Sequence, residues 1–178
     1  GLTKNQTSPT TPQGYTSMTS PKGAHLPALD PLQATLGVSK ASFVAQTADW
    51  VPAHLYATIQ AAYDHPGFSF VRILQRCPKF THDVFQKNVE NPDLTELLVH
   101  EKGVDVPGLA QLFKASRVHN PKNIDDARAL AQRTDKLRLG IFFRDDDMPT
   151  YEQLRAVPKV SAEEKVARLN KEFERYAV

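Results

Sequence analysis

Residues 42–74 constrain the fold more than any other part of the chain. Ser42-Phe43-Val44-Ala45-Gln46 is a short apolar run of the length a buried strand takes, and Phe68-Ser69-Phe70-Val71-Arg72-Ile73-Leu74 is a second. Between them Val51, Leu55, Ile59 and Ala62 recur at helical spacing, so one face of that segment is apolar. Pro52 suits a first helical turn, Asp49 is a candidate cap, and Pro66-Gly67 stops the helix. Strand, helix and strand within about 33 residues is the arithmetic of a right-handed crossover that joins two parallel strands. The expected fold class is α/β.

Around this unit the pattern is less regular. Residues 1–30 are rich in Thr, Ser, Pro and Gly and read as a long loop, either unstructured or functional. Pro31 to Val38 suits a short helix with Pro in its first turn. From Lys79 to Asn123, apolar pairs and prolines suggest short helices joined by loops. Asp125 to Leu137 reads as a helix, Leu139 to Phe143 as a short strand or extended segment, and Asp145 to Pro149 as a turn. At the end, Ser161 and Glu164 form an expected capping box before the stripe Val166, Leu169, Phe173 and Tyr176.

Composition removes several functional classes. The 178 residues are 40% hydrophobic and 24% charged, an ordinary globular balance. No apolar run approaches the roughly 20 residues of a membrane helix, and no signal-peptide pattern opens the chain, so the expected location is the cytoplasm. Lys plus Arg number 22 against 20 Asp plus Glu, a net charge of +2, too balanced to point to nucleic acid. A single cysteine excludes an internal disulfide framework and a zinc site built from this chain's cysteines alone. The first residue is Gly rather than Met, as expected of a piece of a longer chain.

Few residues carry legible chemistry. The six histidines include no i, i+4 pair, and Asp145-Asp146-Asp147 reads as a solvated turn because neighbouring carboxylates diverge. Cys77 is different. It follows the second strand of the crossover, at the end where open α/β sheets place ligands, and precedes Pro78. A lone cysteine in such a position is usually an inert buried thiol, but Cys-Pro is a common end to an iron–sulfur ligand run. Arg72, Arg76 and Lys79 are expected near it, either as a solvated basic patch or as partners for a negative cluster and an acidic electron carrier.

The opening Gly1-Leu2-Thr3-Lys4-Asn5-Gln6-Thr7-Ser8-Pro9-Thr10 resembles the Gly-Leu-Thr-Lys-Gly-Gln-x-Ser-Pro-Thr segment of the β subunit, the thiamine diphosphate subunit, of 2-oxoacid:ferredoxin oxidoreductases. Only Asn5 departs, where glycine is common, and Asn is the residue that best tolerates a left-handed backbone after glycine. The resemblance extends through the loop to Gly23, the strand into Arg76-Cys77-Pro78, and Leu139 to Arg144 with Pro149-Thr150-Tyr151; it is weak from about Asn91 to Ile124.

The resemblance implies that residues 1–90 are the carboxyl-terminal part of a thiamine diphosphate-binding parallel-sheet domain. Residues 91–178 would be an extension of helices and loops, packing on the same domain or on a partner subunit. Leu2 and Thr3 would bind the cofactor, Lys4 would be the catalytic residue that orients the 2-oxoacid, and Cys77 would ligate a 4Fe-4S cluster. The Mg2+-diphosphate motif and the other three cysteines of such subunits lie upstream of this opening. The implied activity is oxidative decarboxylation of a 2-oxoacid to acyl-coenzyme A, with the site completed by an α subunit and the electrons taken by ferredoxin or a similar carrier. Lys4 with the polar run Asn5, Gln6 and Thr7 favours 2-oxoglutarate over pyruvate. Two alternatives stand beside this: a non-catalytic interaction domain of the same fold, and a thiamine-dependent decarboxylase without redox centres.

Overall fold

The computed structural model describes residues 3–38, 40–156 and 159–176. In chain order the elements are α1 (Pro31–Val38), β1 (Phe43–Ala48), α2 (Pro52–Asp64), β2 (Ser69–Leu74), α3 (Gln86–Glu90), β3 (Thr95–Val99), α4 (Leu109–Leu112), β4 (Ala115–Val118), α5 (Ile124–Gln132), β5 (Leu137–Arg144), α6 (Tyr151–Leu154) and α7 (Ala162–Glu174). The five strands form one sheet in the order β2-β1-β5-β3-β4. All neighbours are parallel except β1 and β5. The fold is α/β, and β1, α2 and β2 make the expected parallel crossover.

Every residue of β1 is buried, as a central strand covered on both faces requires. Side chains alternate between the faces. Phe43, Ala45 and Ile141 pack with Ala61 and Ala62 of α2, while Val44 and Phe142 pack with Leu32 and Leu36 of α1 and Ala127 and Leu130 of α5. The apolar stripe that spacing suggests on α2 is buried only in part: Val51 and Ala62 pack into the core, but polar residues share the buried face. His54 and Thr58 are the buried residues of the helix, whereas Ile59 is 45% exposed. The imidazole of His54 lies 2.8 Å from the Thr47 hydroxyl through Nδ1, and Thr58 Oγ1 donates to the His54 carbonyl at 2.7 Å. The polar groups turned inward are thus satisfied, which makes their burial tolerable. Asp49 does not cap α2. Its carboxylate accepts from the Arg76 N–H at 3.3 Å, and the cap position falls to Val51.

Residues 95–118 carry two strands that the sequence reading does not contain. β3 and β4 extend the sheet of β1 and β2, so the strands lie on both sides of residue 90, and the compact unit runs from Gly1 to Met148. β5 enters between β1 and β3. Val44 pairs with Phe143 but Ala45 with Ile141, so Phe142 is an extra residue that bulges β5. Gly140 beside the bulge has φ +130, and a Cβ there would stand 2.9 Å from both Cβ and the carbonyl oxygen of Leu98. No other residue fits this place.

An ion network ties the three-strand half together. The Glu96 carboxylate accepts from Arg138 Nε at 2.9 Å and from Arg117 Nε at 3.0 Å, and Arg138 also reaches Asp135 at 2.6 Å. Burial would raise the Glu96 pKa, but the two guanidinium groups hold it below the ordinary value. Asp135 lies well below the carboxylate range through its hydrogen bonds from Arg133 and Arg138.

Residues 149–178 form a second compact unit. Thr150 and Gln153 make a full capping box on α6. At α7, Ser161 accepts from the Glu164 N–H, but the Glu164 carboxylate pairs with Arg168 instead of closing the expected box. Val166, Leu169, Phe173 and Tyr176 are each more than half exposed. Among the described residues no helix is long and apolar enough to cross a membrane.

Candidate functional site

At the carboxyl ends of β1 and β2 the chain enters Asp49-Trp50 and the segment from Gln75 to Phe85. Here a cleft of about 650 Å³ lies between the opening loop, represented by Asn5, Thr7 and Tyr15, and the segment after Cys77, represented by Thr81 and Phe85. Its third wall is Arg72 of β2, paired with Asp30 at 3.2 Å. This pair also borders an adjoining cavity of about 380 Å³. The spacing of neither residue signals the pairing, since 42 positions separate them.

The opening loop is fixed by its own hydrogen bonds. The Gln6 N–H donates to the Thr3 carbonyl at 3.1 Å across Lys4 (φ +48) and Asn5 (φ +59). Two successive left-handed residues define a type I′ turn, in which Asn is at home and Lys is not. The left-handed region costs an ordinary residue about 1–2 kcal/mol, so Lys4 is held there by its surroundings. Thr19 Oγ1 braces the turn by donating to the Asn5 carbonyl at 3.1 Å, and the Ser17–Ser20 bridge behind it closes the loop. Gly23 permits the closure, because a Cβ there would meet the Gly14 carbonyl oxygen at 2.9 Å. The Thr3 and Lys4 side chains are exposed. Leu2, expected beside them, lies outside the described residues.

Cys77 is 3% exposed and unpaired. The loop behind it turns on the Thr81 N–H, which donates to the Cys77 carbonyl at 3.2 Å. Backbone N–H groups of Phe80, Lys79 and Thr81 engage the thiol and lower its pKa despite burial. A thiol whose pKa is lowered by nearby backbone N–H groups is suited to carry negative charge, and hydrogen bonds to sulfur tune thiolate ligands of iron–sulfur clusters. The expected cations are occupied elsewhere: Arg72 with Asp30, Arg76 over the Trp50 ring at 5.8 Å, and Lys79 over Phe80 at 5.5 Å. Beside Cys77, Asp49 Oδ1, Trp50 Nε1 and Arg76 Nε are buried without hydrogen-bond partners among the described residues.

Among the described residues no three His, Cys, Asp or Glu side chains gather to hold an ion. In the Asp145–Asp147 turn, Asp145 accepts from the Asp147 N–H, and Asp146 is taken by Arg144 at 2.6 Å and Lys102 at 3.1 Å.

Residues 110–159 match the family described as the C-terminal region of the pyruvate ferredoxin oxidoreductase beta subunit. The chain is 27% identical over 162 residues to the 2-oxoacid:ferredoxin oxidoreductase subunit beta of Saccharolobus solfataricus, covering 86% of this chain and 48% of the relative. Over most of its length the chain is thus similar, at a distance, to β subunits of 2-oxoacid:ferredoxin oxidoreductases. It is also 36% identical over 85 residues to the 2-oxoglutarate oxidoreductase subunit KorB of Mycobacterium tuberculosis, covering 48% of this chain and 22% of the relative. Its fold matches a chain of the 2-oxoglutarate:ferredoxin oxidoreductase from Magnetococcus marinus, solved with 2-oxoglutarate, coenzyme A and succinyl-CoA bound. That match has a TM-score of 0.64 at 24% identity and covers 94% of this chain and 53% of the other. The chain spans about half the length of the curated relatives it matches.

Proposed function

We propose that this chain serves as the carboxyl-terminal part of a β subunit in the oxidative decarboxylation of a 2-oxoacid to its acyl-coenzyme A, with 2-oxoglutarate as the favoured substrate. The site is completed by an α subunit, ferredoxin or a similar carrier accepts the electrons, and the complex is cytoplasmic. The supporting observation is an adjacency. The loop that presents Thr3 and Lys4 continues as one wall of the cleft, and the segment that wraps Cys77 continues as the other.

Thiamine diphosphate, bound with Mg2+, supplies the carbanion chemistry that carbon–carbon cleavage needs. The residues of this chain supply position and charge. Thr3, and Leu2 before it, sit on the loop that would border the cofactor, and Lys4 would orient the substrate carboxylate from an exposed, conformationally fixed turn. Cys77 would fit one ligand position of a 4Fe-4S cluster, because its thiol is unpaired and buried and the neighbouring backbone N–H groups lower its pKa. The preference for 2-oxoglutarate draws on Lys4 and its polar neighbours, and on relatives whose names specify that acid.

The test is made on the complete αβ enzyme. Cys77→Ala is expected to lower iron per β chain and abolish carrier reduction while the heteromer still assembles. Full iron content with normal reduction would return Cys77 to the role of a core thiol. Turnover with 2-oxoglutarate is expected to exceed that with pyruvate, and the reverse order would overturn the substrate preference.

A further inference from the structure

β3, β4 and β5 are mutually parallel, and their carboxyl ends meet at the end of the sheet opposite the cleft, because β5 runs antiparallel to β1. Open α/β sheets bind ligands beyond the carboxyl ends of such strands. In this place His100 and Lys102 follow β3, Asn120 and Lys122 follow β4, and Arg144 closes β5, lining a pocket of about 230 Å³.

The pocket is built, not incidental. The Arg144 N–H donates to the Pro121 carbonyl at 2.8 Å, Arg144 Nη1 reaches the Lys102 carbonyl at 3.4 Å, and the Gly103 N–H closes the first loop on the His100 carbonyl at 2.9 Å. Its charge balance is positive. Lys102, Lys122 and Arg144 face the carboxylates of Glu101 and Asp146. Asp146 is shared by Arg144 and Lys102, which leaves Lys122 without an ion-pair partner among the described residues. His100 Nε2 is buried and unpartnered, a costly arrangement unless a ligand meets it. His119 packs edge-on against the His100 ring at 5.4 Å and fixes its plane.

We propose that this pocket binds a phosphate group, held by Lys122, Lys102 and Arg144, the Asn120 amide and the His100 imidazole. Asn120 Oδ1 already accepts from the Lys122 N–H at 3.1 Å, so its NH₂ is the part that faces a ligand. At about 30 Å³ per water, 230 Å³ accommodates one tetrahedral oxyanion but not a nucleoside as well. The phosphate is either free or the end of a larger molecule whose remainder lies outside.

Inorganic phosphate binding to the whole native protein that carries this chain, read by calorimetry at fixed ionic strength, tests the site. Lys122→Ala, on an exposed loop, is expected to weaken binding about tenfold, and His100→Phe to weaken it as well. Lys171→Ala on α7 removes an equal charge elsewhere and is expected to change nothing. No measurable binding, or equal losses in Lys122→Ala and Lys171→Ala, would overturn the proposal. A nucleoside monophosphate that binds tenfold tighter than inorganic phosphate, with the same dependence on Lys122, supports the pocket as the phosphate end of a larger ligand. Equal affinities support it as a site for free phosphate. The readout is binding, so its failure leaves the proposed activity untouched.

Discussion

Ser42 Oγ lies 2.8 Å from His65 Nε2, and both residues are buried, one entering β1 and the other leaving α2. Ser42 Oγ is also 3.2 Å from the Phe68 carbonyl, to which its hydroxyl donates, so the imidazole N–H donates to the serine oxygen. His65 Nδ1 is then bare and 3.9 Å from Asp146, too far for a hydrogen bond. The hydroxyl is therefore not an activated nucleophile. It clamps the Pro66-Gly67 turn that ends the crossover helix.

Gly67 is the place where that clamp is tested. A Cβ there would clash with Ser42 Oγ and stand 3.1 Å from Met148 Cβ. Gly67→Ala is expected to destabilise the protein by about 1–3 kcal/mol. In a Ser42→Ala background the same change is expected to cost less, with a coupling of at least about 0.5 kcal/mol. Urea unfolding of the four proteins checks it; strict additivity would refute the clash.

His54 makes stability depend on pH. It is 1% exposed, and burial lowers its pKa from 6.5 to about 4. The unfolded chain takes up a proton that the native state refuses, so the contribution is complete above pH 6.5, falls as the pH drops through that value, and reaches its floor below about 4. The gap corresponds to roughly 3 kcal/mol. Urea midpoints measured from pH 7.5 to 4 are expected to fall more steeply for the wild type than for His54→Asn. Parallel curves would show that another group carries the effect.

How far the sequence is legible follows from what hydropathy records. The strands at β1 and β2 are apolar runs of ordinary length, and both are found. β3 offers only Leu97 and Leu98 as a strong signal, and β4 is a four-residue edge strand with Arg117 on it, so neither stands out from a loop. The buried face of α2 is legible at Val51 and Ala62 but not at its centre, because His54 and Thr58 count as polar until their partners are known. Of the site, Lys4, Asn5 and Cys77 are legible as motif residues, whereas Arg72–Asp30 and the pocket beyond β3, β4 and β5 exist only once distant segments meet.

Glu96 and Arg138 set up a third expectation. Both are buried, at 7% and 2% exposure, and their bond crosses the β3–β5 register. Glu96→Gln leaves the Arg138 and Arg117 guanidinium groups without their shared counter-charge and is expected to cost about 3–5 kcal/mol. Replacing the pair together, Glu96→Leu with Arg138→Met, is expected to cost less than the sum of the singles, because neither charge is then stranded. Denaturant unfolding gives both values, and a single-variant loss under 1 kcal/mol would show that solvent screens the network.

Lys4 separates fold from function. Its left-handed backbone (φ +48) is the conformation glycine adopts freely, and its side chain is exposed. Lys4→Gly therefore relieves local strain while loosening the unfolded chain, and the two effects leave stability unchanged or raised by up to about 1 kcal/mol. On the proposed role the same variant removes the cation that orients the 2-oxoacid, so kcat/KM of the complete enzyme is expected to fall by about a hundredfold or more. Lys4→Arg, which keeps the charge and the strain, is expected to recover part of that loss. A Lys4→Gly enzyme of full activity would show that the turn is retained for its shape, and that the ammonium does not touch the substrate.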